Sequence, residues 1–231
     1  MMDYNAPMAS RALPAVVLRP AAPEDAEPAA ALIYETLATL GEYLFGQPHA
    51  QGTIRVLTEL FREKGHLLSY QFSTLAEADR EVIGIAQALP SADLGRAVRQ
   101  IVGACRRRFG LRFALRLAWR GFPLAFEPDT KPDEYYINTL AVAPARRNRG
   151  VGRTLLEDAE RRGRELGLPV CSLSVMLHNA DAKRLYERQG FRIDLKHISR
   201  LHAPGVNYSG FYRMVKPIAS HGSSVKGAKP T

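Results

Sequence analysis

The stretch Arg146-Arg147-Asn148-Arg149-Gly150-Val151-Gly152 decides how this chain folds. Immediately before it runs Tyr135-Tyr136-Ile137-Asn138-Thr139-Leu140-Ala141-Val142, aromatic and β-branched at its start and apolar at its end, the composition of a strand. Pro144 forbids that strand from continuing as a central element. After the stretch, Val151, Leu155 and Ala159 recur every four residues, one face of a helix. The order is strand, basic turn with glycines, helix start.

That arrangement suits an anion. The first turn of a helix carries backbone N–H groups without intrahelical partners, and the macrodipole adds partial positive charge there. Glycine at 150 and 152 lets the backbone approach a bulky group closely, and Arg146, Arg147, Arg149 and Arg153 surround the same point with full charge. The expected ligand is a phosphate or pyrophosphate. A Walker loop is excluded because it ends in Gly-Lys-Ser/Thr, whereas this chain has Gly152-Arg153-Thr154. A dinucleotide fingerprint is excluded because Leu155 stands where its third glycine belongs.

The stretch resembles the acyl-coenzyme A signature of the GNAT-type N-acetyltransferases, Gln/Arg-x-x-Gly-x-Gly/Ala, through Arg147, Gly150 and Gly152. Downstream, a second strand candidate at 170–177 leads into Asn179-Ala180-Asp181-Ala182-Lys183-Arg184-Leu185-Tyr186-Glu187-Arg188-Gln189-Gly190-Phe191. This is similar to the family's second signature, Asn-x-x-Ala-x-x-Leu-Tyr-x-x-x-Gly-Phe, at every defined position. The resemblance is close over residues 134–193 and holds in outline elsewhere.

The resemblance implies an α/β (α+β) fold: a mixed, mostly antiparallel sheet of about seven strands with helices on both faces. Its fourth and fifth strands, here 135–142 and 170–177, would splay into a V-shaped slot for a pantetheine arm. The implied cofactor is acetyl-CoA. By the same resemblance, Leu140, Ala141 and Val142 offer backbone groups to the pantetheine amides, and one of these backbone N–H groups polarises the thioester carbonyl. The pyrophosphate would lie over Asn148, Arg149, Gly150, Val151 and Gly152, with Arg147 and Arg153 also binding the cofactor. Asn179 would hold pantetheine or cap its helix, and Tyr186 would donate to the departing sulfur. The implied reaction moves an acetyl group to a primary amine of a small molecule, a protein N-terminus or a lysine, by direct attack in a ternary complex. An ammonium has no lone pair, so a base or a chain of waters must take its proton. Glu134, Asp133 and His178 are the candidates.

Outward from this centre the chain is ordinary for a globular protein. It has 231 residues with 46% hydrophobic content, no apolar run near the ~20 residues that span a bilayer, and no secretory-signal pattern at its start. Cys105 and Cys171 show no metal spacing, and a reduced, cytoplasmic setting is expected. Residues 1–14 read as a loose arm, 15–216 as one domain and 217–231 as a disordered tail. Strands are expected at 15–19, 71–76, 82–88, 191–198 and 211–215, with a polar hairpin connection at 77–81 and a turn at Pro204-Gly205. Helices are expected from Pro23-Glu24-Asp25 onward and over 53–64. In the family the first helix and the loop after it build part of the substrate wall, which makes Tyr43, Phe45 and His49 candidate contacts.

The segment 94–130 is the departure from the family outline. Between 94 and 125 it holds eight arginines and no acidic residue; the rest of the chain carries 24 basic residues against 23 acidic ones, so the formal charge of +9 resides here. Arg108, Arg112, Arg116 and Arg120 fall at spacing four, one stripe of a helix, with Leu111, Leu115, Trp119 and Phe122 on another face. The simplest reading is a packed helix with a solvated basic face. A substrate lid, a homodimer surface, a peripheral membrane contact through 94–122, and an RNA contact are the others. Nucleic acid is disfavoured because few aromatics interleave the charges. A non-catalytic acyl-CoA sensor is the alternative reading of the slot itself.

Overall fold

The computed structural model describes residues 15–126 and 130–218. The arm expected at 1–14 lies outside the described residues, as does the tail expected at 217–231 beyond its first two positions. Those two belong to the fold: Pro217 closes the last strand and Ile218 is buried.

Seven strands form one sheet. They are β1 (Val17–Pro20), β2 (Ser73–Ala78), β3 (Glu81–Pro90), β4 (Glu134–Val142), β5 (Val170–Met176), β6 (Arg192–Ile198) and β7 (Gly210–Pro217), in the spatial order β1-β2-β3-β4-β5-β7-β6. Every neighbouring pair is antiparallel except β4 with β5. The hairpin between β2 and β3 is tighter than the polar connection expected at 77–81. It turns on Asp79 and Arg80, both at positive φ (54° and 63°), with Asp79 the residue that tolerates this conformation through its short polar side chain.

Helices cover both faces. α1 (Ala26–Phe45), α2 (Ala50–Phe61), α3 (Ser91–Phe109) and α4 (Leu111–Gly121) bury Ile33, Leu57, Phe61, Cys105 and Ala114 against Leu75, Ile85 and Ala141 of the sheet. α5 (Val151–Glu165) and α6 (Ala180–Arg188) lie on the other face, where Leu156, Ala159 and Tyr186 meet Tyr135, Ile137, Leu173 and Met214. α5 sits close to the sheet because β3 has Gly84 beneath it; a Cβ there would stand 3.1 Å from Val151 and Leu155. α1 starts where Asp25 accepts the Ala22 N–H and two Arg19 donors, each at 2.8 Å. It breaks at Ala38, whose φ of 41° is foreign to a helix.

The basic insert departs from its sequence reading. Gly110, at φ 87°, divides it into α3 and α4, so the four arginines do not share one stripe. Arg108 stays on α3 and pairs with Glu59 of α2. Arg116 and Arg120 fold back to the C-terminal carbonyls of α1, donating to Phe45 (3.3 Å) and Tyr43, where cations are favoured by the helix dipole. Beside the exposed Arg112 and Arg116, the solvated surface of α4 also carries an apolar row: Leu111, Leu115 and Trp119 are 59%, 60% and 82% exposed, with Phe122 beyond the helix at 61%. Among the described residues no helix is long and apolar enough to cross a membrane.

Candidate active site

β4 and β5 pair only from Glu134 with Val170 to Ile137 with Leu173, and then part. The cause is visible in the ladder on the other side of β4. Gln87 faces Thr139 and Ala88 faces Ile137, so Asn138 is an extra residue in β4, a β-bulge. A bulge bends its strand and increases local twist, and this one falls at the last β4–β5 pair. Asn138 is poorly suited to a regular strand. It is the signal in the sequence that marks the position.

Past the bulge, the alternation of an antiparallel ladder settles which backbone groups are open. The Ala143 N–H donates to Ile83 O at 2.9 Å, so Ala143, Ala141 and Thr139 turn their amides toward β3. Leu140 and Val142 turn theirs toward the gap, where β5 no longer reaches. This corrects one expectation: Ala141 is buried with its amide committed to the sheet and does not face the slot. The Val142 carbonyl is already used, accepting from Arg147 Nε at 3.1 Å.

The slot leads to the N-terminus of α5. Asn148 and Gly150 both take positive φ (60° and 84°), curling the loop so that the 15-residue helix starts with no side-chain cap and no acidic residue in its first turn. The Gly150 carbonyl accepts the Thr154 N–H at 3.0 Å, so the Val151, Gly152 and Arg153 amides of the first turn have no acceptor within the helix. A Cβ on Gly152 would stand 3.3 Å from Leu185 of α6 and 3.7 Å from Val142 of β4, filling the mouth between them. An open amide row, an uncapped helix end and a glycine cradle fit a pantetheine arm ending in a pyrophosphate. The arginines are less available than their number implied. Arg147 reaches Glu35 (3.0 Å), Arg146 reaches Glu81 (3.1 Å) and Arg153 reaches Glu157 (2.7 Å), while Arg149 is exposed with no ion pair among the described residues.

On α6, Tyr186 is 7% exposed and meets the edge of Phe191 at 6.0 Å. Burial pushes its hydroxyl well above the usual tyrosine range, so it is a proton donor at neutral pH. Asn179 caps the helix, its Oδ1 accepting the Ala182 N–H at 3.1 Å. The base candidates separate clearly. Glu134 lies at the closed end of the slot, buried, bonded to Arg213 and accepting the Lys131 N–H at 3.0 Å. Arg213 also binds Asp194, completing an internal ion network. Asp133 sits beside Glu134 in a turn at φ 64°. His178 is exposed and follows β5 at the open end. Of the proposed wall residues, Phe45 is core, stacked on Phe113 at 6.4 Å, and Tyr43 lies under the Arg120 guanidinium. His49 is exposed at the start of α2. One contact was not foreseen: the Asn207 N–H donates to Thr39 Oγ1 at 3.0 Å, tying the β6–β7 loop to the break in α1.

This geometry agrees with comparisons to known proteins. A search of curated proteins finds no match. Among solved structures, that of an acetyltransferase superposes with a TM-score of 0.68 at 23% identity, covering 87% of this chain and 99% of its own. An N-acetyltransferase from Staphylococcus aureus Mu50 gives 0.66 at 20% identity, covering 87% and 100%. The PaiA N-acetyltransferase from Thermoplasma acidophilum, in complex with coenzyme A, gives 0.50 at 16% identity, covering 88% and 99%. At these identities the likeness speaks for the fold. A sequence model of the acetyltransferase (GNAT) family matches residues 39–191, from just after the break in α1 to the end of the second signature, well over half of the chain. With the splayed strands, the glycine loop and both signatures in one frame, the chain belongs to the GNAT acetyltransferase family and binds acetyl-CoA.

Proposed function

We propose that this protein is an N-acetyltransferase that acetylates a primary amine by direct attack, with both substrates bound at once. The observation that carries this reading is the bulge at Asn138, which parts β4 from β5 and leaves the Leu140 and Val142 amides open on a path ending at the uncapped α5.

Bound acetyl-CoA supplies an acetyl group activated as a thioester. The chain's residues do the rest. Leu140 and Val142 present fixed N–H donors along the slot, already oriented and therefore without reorganisation cost as charge develops on a carbonyl oxygen. The α5 amides and the Arg149 guanidinium hold the diphosphate end, and Gly152 keeps the mouth open. Tyr186, kept protonated by burial, offers its hydroxyl to the leaving sulfur. Glu134 is committed to Arg213, so the ammonium proton passes to water or to His178, the base candidate at the open end. The acceptor enters beside the wall that the Asn207–Thr39 bond makes of the α1 break and the β6–β7 loop.

The test is a panel of primary amines (polyamines, aminoglycosides, amino acids and peptide N-termini) with acetyl-CoA, reading free thiol. The protein adds no background of its own, since Cys105 and Cys171 are buried with thiols pushed up to about 12. Acceptor-dependent thiol release is the expected result. Tight coenzyme A binding without release on any amine would favour the sensor reading.

A further inference from the structure

α4 presents three sectors around one axis. Ala114 and Leu117 are buried in the core. Arg112, Arg116 and Arg120 form a second sector, spaced by four. Leu111, Leu115 and Trp119 form the third; all are more than half exposed, along about 12 Å at 1.5 Å per residue. The core already has its contact with α4, so the outward row serves something else.

We infer that α4 docks the protein on an anionic lipid surface, the apolar row entering the interfacial layer and Arg112 beside it meeting the headgroups, with Arg116 and Arg120 adding to the positive field. Charge selects this occupant. The segment 94–125 has no carboxylate. Among the described residues Arg99, Arg106 and Arg112 have no ion pair, and Arg116 and Arg120 bond to neutral carbonyls and so keep their charge. A second copy of this chain is a poor occupant: a two-fold contact through α4 would bring arginines against arginines with no acid between them. The composition of the row agrees, because an indole beside leucines and flanked by guanidiniums is what the membrane–water boundary accommodates. The inference is independent of the acetyl-transfer reading.

Trp119 is the chain's one tryptophan, so its fluorescence reports on this row alone. The full chain is mixed with phosphatidylcholine vesicles with and without about a quarter phosphatidylglycerol. A blue shift of Trp119 emission and co-flotation are expected with the anionic vesicles, weakened by high salt and much weaker with neutral ones. Arg112→Gln should weaken binding about fivefold, the effect of one basic residue near a charged surface. A Leu111→Ser/Leu115→Ser variant should weaken it at least ~10-fold and abolish the shift. Both leucines are mostly exposed, so the thermal melt should not change. No shift on anionic vesicles, equal binding to neutral ones, or self-association that the double serine variant removes would each overturn the inference.

Discussion

Replacing Tyr186 with Phe separates chemistry from packing at one atom. The ring is buried against Phe191 at 6.0 Å, and both residue types fill that space alike. Among the described residues the Tyr186 hydroxyl makes no hydrogen bond, so its removal breaks none; stability should change by less than about 1 kcal/mol, the usual net worth of one such bond. If the hydroxyl donates to the leaving sulfur only as the carbon–sulfur bond breaks, kcat falls while ground-state binding is kept. The expected loss is roughly 10- to 1000-fold, or about 1.4 to 4 kcal/mol of barrier; a thiolate leaves fairly well unaided, which places the effect below the top of the general-acid range. Calorimetric coenzyme A affinity should move by less than about 1 kcal/mol. A pH series supplies an independent control. Burial raises the folded-state tyrosine pKa, so this group's stabilising contribution is full below its unfolded value near 10 and is lost as pH rises through the folded value. The Phe variant should lack that alkaline loss. Parental kcat in a folded Phe variant, with chemistry rate-limiting, would return Tyr186 to the role of a core aromatic.

Gly152→Val should weaken coenzyme A binding by up to several kcal/mol with the fold retained, because even its Cβ would stand 3.3 Å from Leu185 across the slot mouth; unchanged affinity by calorimetry would remove the pyrophosphate site from α5. Glu134→Ala should cost about 3 kcal/mol of unfolding free energy by removing a carboxylate paired with the buried Arg213, while activity per folded molecule persists. Selective loss of kcat with normal stability would restore Glu134 as the base. Acid should destabilise the fold in two ranges. Burial holds the His66 imidazole below its usual value, so its contribution is complete above 6.5 and declines as pH falls through the lowered folded value. Asp194, held below the usual carboxylate range chiefly by Lys131, adds a second loss below about pH 4. Thermal melts of the parent and a His66→Phe variant should differ in slope only in the upper range.

The local and repetitive features of this protein were present in the sequence. The strand, glycine turn and helix around Gly150 follow from side-chain periodicity and from what glycine and proline permit, and those properties belong to neighbouring residues. Both acyl-coenzyme A signatures belong to the same class, as do the Asn179 cap and the positive φ at Gly167 and Gly190. What depended on distant partners was not legible. Four arginines around the loop looked equivalent, yet Arg147 pairs with Glu35, 112 positions away, while Arg149 has no ion pair among the described residues; only folding brings those carboxylates near. Periodicity also showed that α4 had an apolar and a basic stripe without showing which would be covered. The C-terminal carbonyls of α1 drew Arg116 and Arg120 inward, and Gly110 set the helix axis, so the apolar stripe was left in water. Likewise the slot's position is a matter of register. Asn138 becomes a bulge because β3 holds β4 in pairing on either side of it, and β4 parts from β5 just beyond Ile137.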